Sequence, residues 1–127
     1  MAPESLSAPF EEAGYDNLQV GGFPYVTEPI TLKAGNLKRG TVIAIDSTDG
    51  KAVIAVSGGA NGTGTIKGIL TRDTDASSEE IKTHMYVTGK FGQDKVDFND
   101  LTFGEALRDL LRLRSIFIEK AVKEDGT

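Results

Sequence analysis

All four prolines of the chain, Pro3, Pro9, Pro24 and Pro29, fall within its first 29 residues, and so does the whole of its net charge. That stretch carries Glu4, Glu11, Glu12, Asp16 and Glu28 and no basic residue, a charge of −5. The other 98 residues set 14 acids against 14 bases. A proline-rich segment of one charge sign has too little apolar surface to offset the entropy of ordering its backbone. The chain is therefore expected to divide into a flexible arm over residues 1–29, a neutral compact domain over residues 30–122, and a frayed tail over 123–127.

About 98 residues suffice for a single core and leave no room for separate catalytic and substrate domains. Hydrophobic content of 39% and charge of 26% are ordinary for a soluble globular protein. No apolar run approaches the roughly 18 residues a membrane span needs, so no membrane partner is expected. A basic stretch followed by an apolar one is missing at the start, so no secretory signal is expected. The chain has no cysteine, hence no disulfides and no thiolate metal ligands. With a net charge of −5 it has no basic excess to neutralise phosphates, which argues against direct nucleic-acid binding.

Residues 1–14 read as disordered. From Tyr15 to Val26 the composition changes, with Tyr15, Leu18, Val20, Phe23, Tyr25 and Val26 in one short stretch. Two readings stay open. These residues either pack onto the chain's own domain, or they form a partner-binding arm that adds as a strand to a sheet edge elsewhere, with Gly21-Gly22 allowing it to bend. On the second reading Leu18, Val20, Phe23, Tyr25 and Val26 are the candidate contact residues.

From Ile30 onward the punctuation is that of a β domain. A turn bracketed by Gly35-Asn36 and Arg39-Gly40 leads to the β-branched run Thr41–Ile45. Ser47-Thr48-Asp49-Gly50 reads as a hairpin turn in which Asp-Gly supplies the positive φ, with Lys51–Val56 as the returning strand. A flexible Gly-rich loop at 57–64 precedes a strand at Thr65–Leu70. A polar loop at Asp73–Glu80 precedes another at His84–Phe91, and Ser115–Ile118 closes the series. Short strands between Gly and Asp turns predict a small barrel or sandwich. One helix is signalled: Thr102 and Glu105 fit a capping box, and Phe103, Leu107, Leu110 and Leu111 recur at helical spacing.

No constellation carries chemistry. The 57–64 loop lacks Gly-Lys-Ser/Thr and a following helix, so it has no aligned N–H groups to hold a phosphate. Asp73, Asp75, Glu79 and Glu80 lack the glycine a calcium loop needs and read as a solvated loop. His84 is the single histidine, too little for a zinc site or a Ser-His pair. Arg108, Arg112 and Arg114 interleave with Glu105 and Asp109 and read as a solvated face with local ion pairs. No cofactor and no metal are expected, and no enzymatic activity.

The chain resembles the lambda-type bacteriophage head decoration proteins over roughly residues 30–120. Gly35-Asn36-Leu37-Lys38-Arg39-Gly40-Thr41-Val42 is similar to the family's G-x-L-x-x-G-T-V opening. Lys67-Gly68-Ile69-Leu70 matches its Gly-Ile-Leu strand, and Val87-Thr88-Gly89, the late helix and a closing strand at Ile116-Phe117-Ile118 follow in order. The chain departs in having no Trp, and in Arg114-Ser115 where the family has a Gly before the closing strand. The resemblance implies a mainly β domain of the β-clip type with one helix in the C-terminal half, assembled as a homotrimer. Such trimers cap three-fold and quasi-three-fold positions of the expanded capsid, gripping the major capsid protein against internal DNA pressure. It also implies a place on the outside of the virion, with assembly in the host cytoplasm, and an N-terminal arm that orders on the capsid. The alternative is a small β-rich module that binds a glycan or other ligand on a virion or cell surface, resting on mobile loops and on Tyr86 and Phe91 as exposed aromatics.

Overall fold

The computed structural model describes residues 17–20 and 22–120. The segment expected to be disordered, 1–14, and the frayed tail, 123–127, lie outside them. Eight strands and one helix follow in the order β1 Val26–Leu32, β2 Gly35–Leu37, β3 Val42–Asp46, β4 Lys51–Ile54, β5 Gly68–Leu70, β6 Thr74–Ala76, β7 Ile81–Gly92, α1 Glu105–Leu113 and β8 Ile116–Glu119. The expected mainly β fold with a single late helix is what forms.

Six strands make one sheet in the order β1-β4-β3-β5-β7-β8. Because β1 also pairs along β7, from Val26 opposite Thr88 to Leu32 opposite Ile81, the sheet curls back on itself. β2 and β6 form a separate two-stranded ribbon, so the polar stretch 73–80 is not all loop. The β3–β4 hairpin pairs Asp46 with Lys51, and Gly50 takes φ +73° in the turn as the Asp-Gly signal requires.

β3 shows why its sequence is β-branched without polar alternation. Val42 and Ala44 belong to one apolar cluster, with Ile69, Phe91, Leu111, Ile116 and Ile118. Ile43 belongs to another, with Leu32, Ala52, Leu70 and Met85. Both faces of the strand are covered, and a continuous apolar run is the pattern that serves two cores. Tyr86 and Phe91, expected as exposed aromatics, are 7% and 0% exposed. Their rings pack at 5.4 Å inside the first cluster, so they offer no ligand platform.

Three further expectations are corrected. The helix begins at Glu105 with Gly104 at its N-cap and no side-chain cap, so Thr102 does not close a capping box. The Phe103 ring stacks on Phe98 at 4.7 Å, which anchors the residues just before the helix to the body. The 57–64 loop is wound on itself rather than open. Val56 N–H donates to Thr63 O at 2.9 Å and Thr63 N–H to Ala60 O at 3.0 Å, while Ser47 N–H ties Asn61 O to the neighbouring hairpin. Arg108 is not a solvated charge: its guanidinium donates to Ile118 O at 3.1 Å and lies 5.2 Å over the Phe103 ring. The ion pair expected beside it forms between Arg112 and Asp109 at 3.5 Å.

Candidate functional site

Of the stretch Tyr15–Val26, Tyr15 lies outside the described residues; residues 17–20 and 22–26 run along the far end of β7 and beside β8, held by local and specific contacts. Val20 N–H donates to Lys90 O at 3.1 Å and Gly92 N–H donates to Leu18 O at 2.8 Å, a short antiparallel attachment centred on the bridge between Gln19 and Phe91. Leu18, at 1% exposure, points into the first apolar cluster. Tyr25 donates its hydroxyl to Lys90 O at 2.6 Å, and its ring meets Tyr86 and Phe91 edge-on at 5.8 and 5.5 Å. Gly89, at φ +143°, makes this approach possible, since a Cβ there would collide with the Tyr25 ring. Phe23 packs edge-on against Phe117 of β8 at 4.9 Å.

The five candidate residues therefore separate by direction. Leu18 and Tyr25 are part of the chain's own packing, and Phe23 is half-buried on β8. Val20 and Val26 are 43% and 48% exposed, Val20 beside Lys90–Gly92 and Val26 opposite Thr88. The division expected at residue 29 does not fall at a break in the structure. Val26–Pro29 already belong to a strand of the main sheet, and the first described residues enter the core. The reading in which this stretch packs on its own domain describes residues 17–20 and 22–29.

Two residues not singled out from the sequence hold the attachment. Arg39 donates to Gln19 Oε1 at 3.4 Å, to Thr71 O at 2.8 Å and to the Tyr86 hydroxyl at 2.9 Å, clamping the segment to the body. Lys90 accepts twice on its carbonyl and pairs through Nζ with Glu119 at 3.1 Å. Gly89 and Gly92, flanking Lys90-Phe91, were the available signal, because glycines spaced along a strand mark a close backbone approach.

Val20 and Val26 are the large apolar side chains left at the surface among the described residues of this stretch. Among the described residues no three metal-ligating side chains come together, and no helix is long and apolar enough to cross a membrane. His84 is exposed on β7 opposite Pro29. The family described as bacteriophage lambda head decoration protein D matches residues 17–108, well over half of the chain. The chain belongs to that family. Head decoration is a structural role in association with the phage capsid, on the virion, and the family is not one of enzymes. No curated protein matches the chain. The family match begins at residue 17, so the Leu18 attachment lies inside the matched span.

Proposed function

We propose that the protein is a homotrimeric cement of the expanded phage head, seated at its three-fold and quasi-three-fold positions and holding neighbouring copies of the major capsid protein against internal DNA pressure. The observation that carries this reading is the family match over residues 17–108. The charge distribution supports it. Residues 17–120 hold 13 acids and 13 bases, while residues 1–16 hold four acids and no base. A neutral body offers little long-range steering, so the grip belongs to the leader 1–16 and to the exposed Val20 and Val26 where the leader joins the body. One leader binds weakly on its own. Three on one rigid trimer engage as a linked set, and effective concentration raises avidity by about 10²–10⁴ without any new contact. A ligand of the assembled shell that does not bind separate subunits stabilises the shell by mass action, so cementing requires no catalysis.

Mixing the protein with expanded and with unexpanded heads and imaging both by electron cryomicroscopy tests the reading. Added density at three-fold and quasi-three-fold positions of the expanded heads alone is expected. Decoration of both forms alike, or density elsewhere on the lattice, contradicts it.

A further inference from the structure

A polar notch of about 270 Å³ lies between the end of α1 and β8, lined by Arg108, Arg112, Glu119 and Lys120 together with Phe117 and Ile118. Arg108 and Arg112, four residues apart, share one face of the helix. Arg108 is fixed there by its bond to Ile118 O, whereas Arg112 and Lys120 are exposed. Glu119, the one acid in the lining, is paired with Lys90 at 3.1 Å. Asp109 meets Arg112 at 3.5 Å with both side chains more than half exposed. Four cations thus face two carboxylates here, in a body that is neutral as a whole.

We infer that this notch is the docking site of the chain's own acidic leader, with the carboxylates of Glu11 and Glu12 set against Arg112 and Lys120 in the free protein. The inference concerns the protein before it meets a capsid and does not rest on the cementing reading. Position and charge select this occupant. Leu18 O receives Gly92 N–H, and Gly92 stands in register with Glu119 of β8. With strands about 4.8 Å apart, the leader joins the body about 10 Å from the rim of the notch. Phe23 of the same segment packs on Phe117, which lines it. Glu12 and Glu11 lie six and seven residues before Leu18 and reach about 20–25 Å when extended. Residues 1–16 hold four acids and no base, so the leader's charge complements the notch. Exposed ion pairs are weak, and a free acidic peptide would gain little from them, but a tether this short holds the leader at millimolar effective concentration. Nucleic-acid phosphate is a poorer occupant, because a chain at −5 repels it at range.

The chain has no cysteine, so a nitroxide on Ala13→Cys marks one site, and amide NMR of the full chain reads where it dwells. The signals of Leu113 and Glu119, beside the notch, are expected to broaden, while that of Lys82, at the opposite end of β7, stays sharp. Reversing the leader's charge with Glu11→Lys/Glu12→Lys is expected to cut that broadening about 5-fold, the loss of two exposed ion pairs. Screening in about 1 M sodium chloride, where the Debye length is about 3 Å, should do the same. The notch variant Arg112→Glu/Lys120→Glu is expected to match the leader variant, and the two combined to restore the broadening. Broadening that all forms share overturns the docking, as does a combined variant whose signals stay sharp. The leader variant changes nothing between residues 17 and 120, so its outcome holds even where the notch variant fails to fold. A folded notch variant that keeps the broadening yet no longer decorates expanded heads would give the notch to a carboxylate of the capsid instead.

Discussion

Ser115 holds a φ of +66° in the joint between α1 and β8, a left-handed conformation that glycine adopts without strain and serine does not. Its N–H caps the helix at Arg112 O (3.0 Å) and its carbonyl receives Gly89 N–H at 3.0 Å, so the backbone cannot relax without losing both bonds. Left-handed geometry costs a non-glycine residue about 1–2 kcal/mol, and glycine's greater freedom in the unfolded chain returns about half of that. Ser115→Gly is therefore expected to raise stability by about 0.5–1 kcal/mol, read as a higher urea midpoint. A lower midpoint would mean that the serine side chain contributes something its contacts do not reveal. At the β3–β4 turn, Asp46 accepts from Thr48 Oγ1 and N–H at 2.6 and 2.9 Å and from Lys33 Nζ at 2.9 Å. The bonds from Thr48, then the lysine, hold its carboxyl at about 2, below the ordinary 3.8. A folded pKa below the unfolded one gives stability that is full above about pH 4 and fades as the pH falls through 2. Asp46→Asn should lower the urea midpoint at pH 7, and the gap to the unaltered protein should shrink below about pH 4 and close only below pH 2. A gap that stays constant with pH would assign the effect to packing instead.

At the scale of elements, the attachment at the end of β7 depends on one buried side chain. Leu18→Ala leaves a cavity among Phe91 and its neighbours and is expected to cost about 2–5 kcal/mol. Val20→Ala, at an exposed site two residues on, should stay within about 0.5 kcal/mol. Equal small effects in chemical denaturation would mean that the segment does not share the core. The elements also show what the amino-acid pattern reveals. β3 and β4 were legible because a β-branched run and an Asp-Gly turn report local chemistry that the fold leaves in place. β1 was not, because Pro29 and Glu28 interrupt its run. Proline lacks a ladder donor, yet Pro29 sits in register with His84 of β7. The helix was legible from its leucines, but its start was not, since the Phe98–Phe103 stack is a tertiary contact that no capping pattern encodes. Tyr86 and Phe91 misled for the same reason, as one cannot read from a strand alone that both its faces are covered.

For the whole molecule, charge and fold mark different boundaries. Net charge and proline content change at residue 29, but packing begins by Leu18, and Arg39 and Lys90 bind the intervening stretch to the body. Of the five residues with the strongest sequence case for capsid contact, Leu18 is core, Tyr25 is half-buried against the core, Phe23 is packed on β8, and Val20 and Val26 stay outward. Apolar character marks a residue for burial without saying against which molecule. The family match from residue 17 to 108 makes the protein a head decoration protein, and on the proposed reading its acidic leader grips the capsid while the neutral body gives it shape. Removing residues 1–29 would take Leu18, Tyr25 and the first half of β1 and is expected to unfold the chain, whereas removing residues 1–16 spares them all. Binding of the 1–16 deletion to expanded heads is the most direct measurement, scored beside its circular dichroism. The account predicts a folded protein whose occupancy of the heads falls by at least 100-fold, and a folded deletion that decorates them as fully as the intact chain would contradict it.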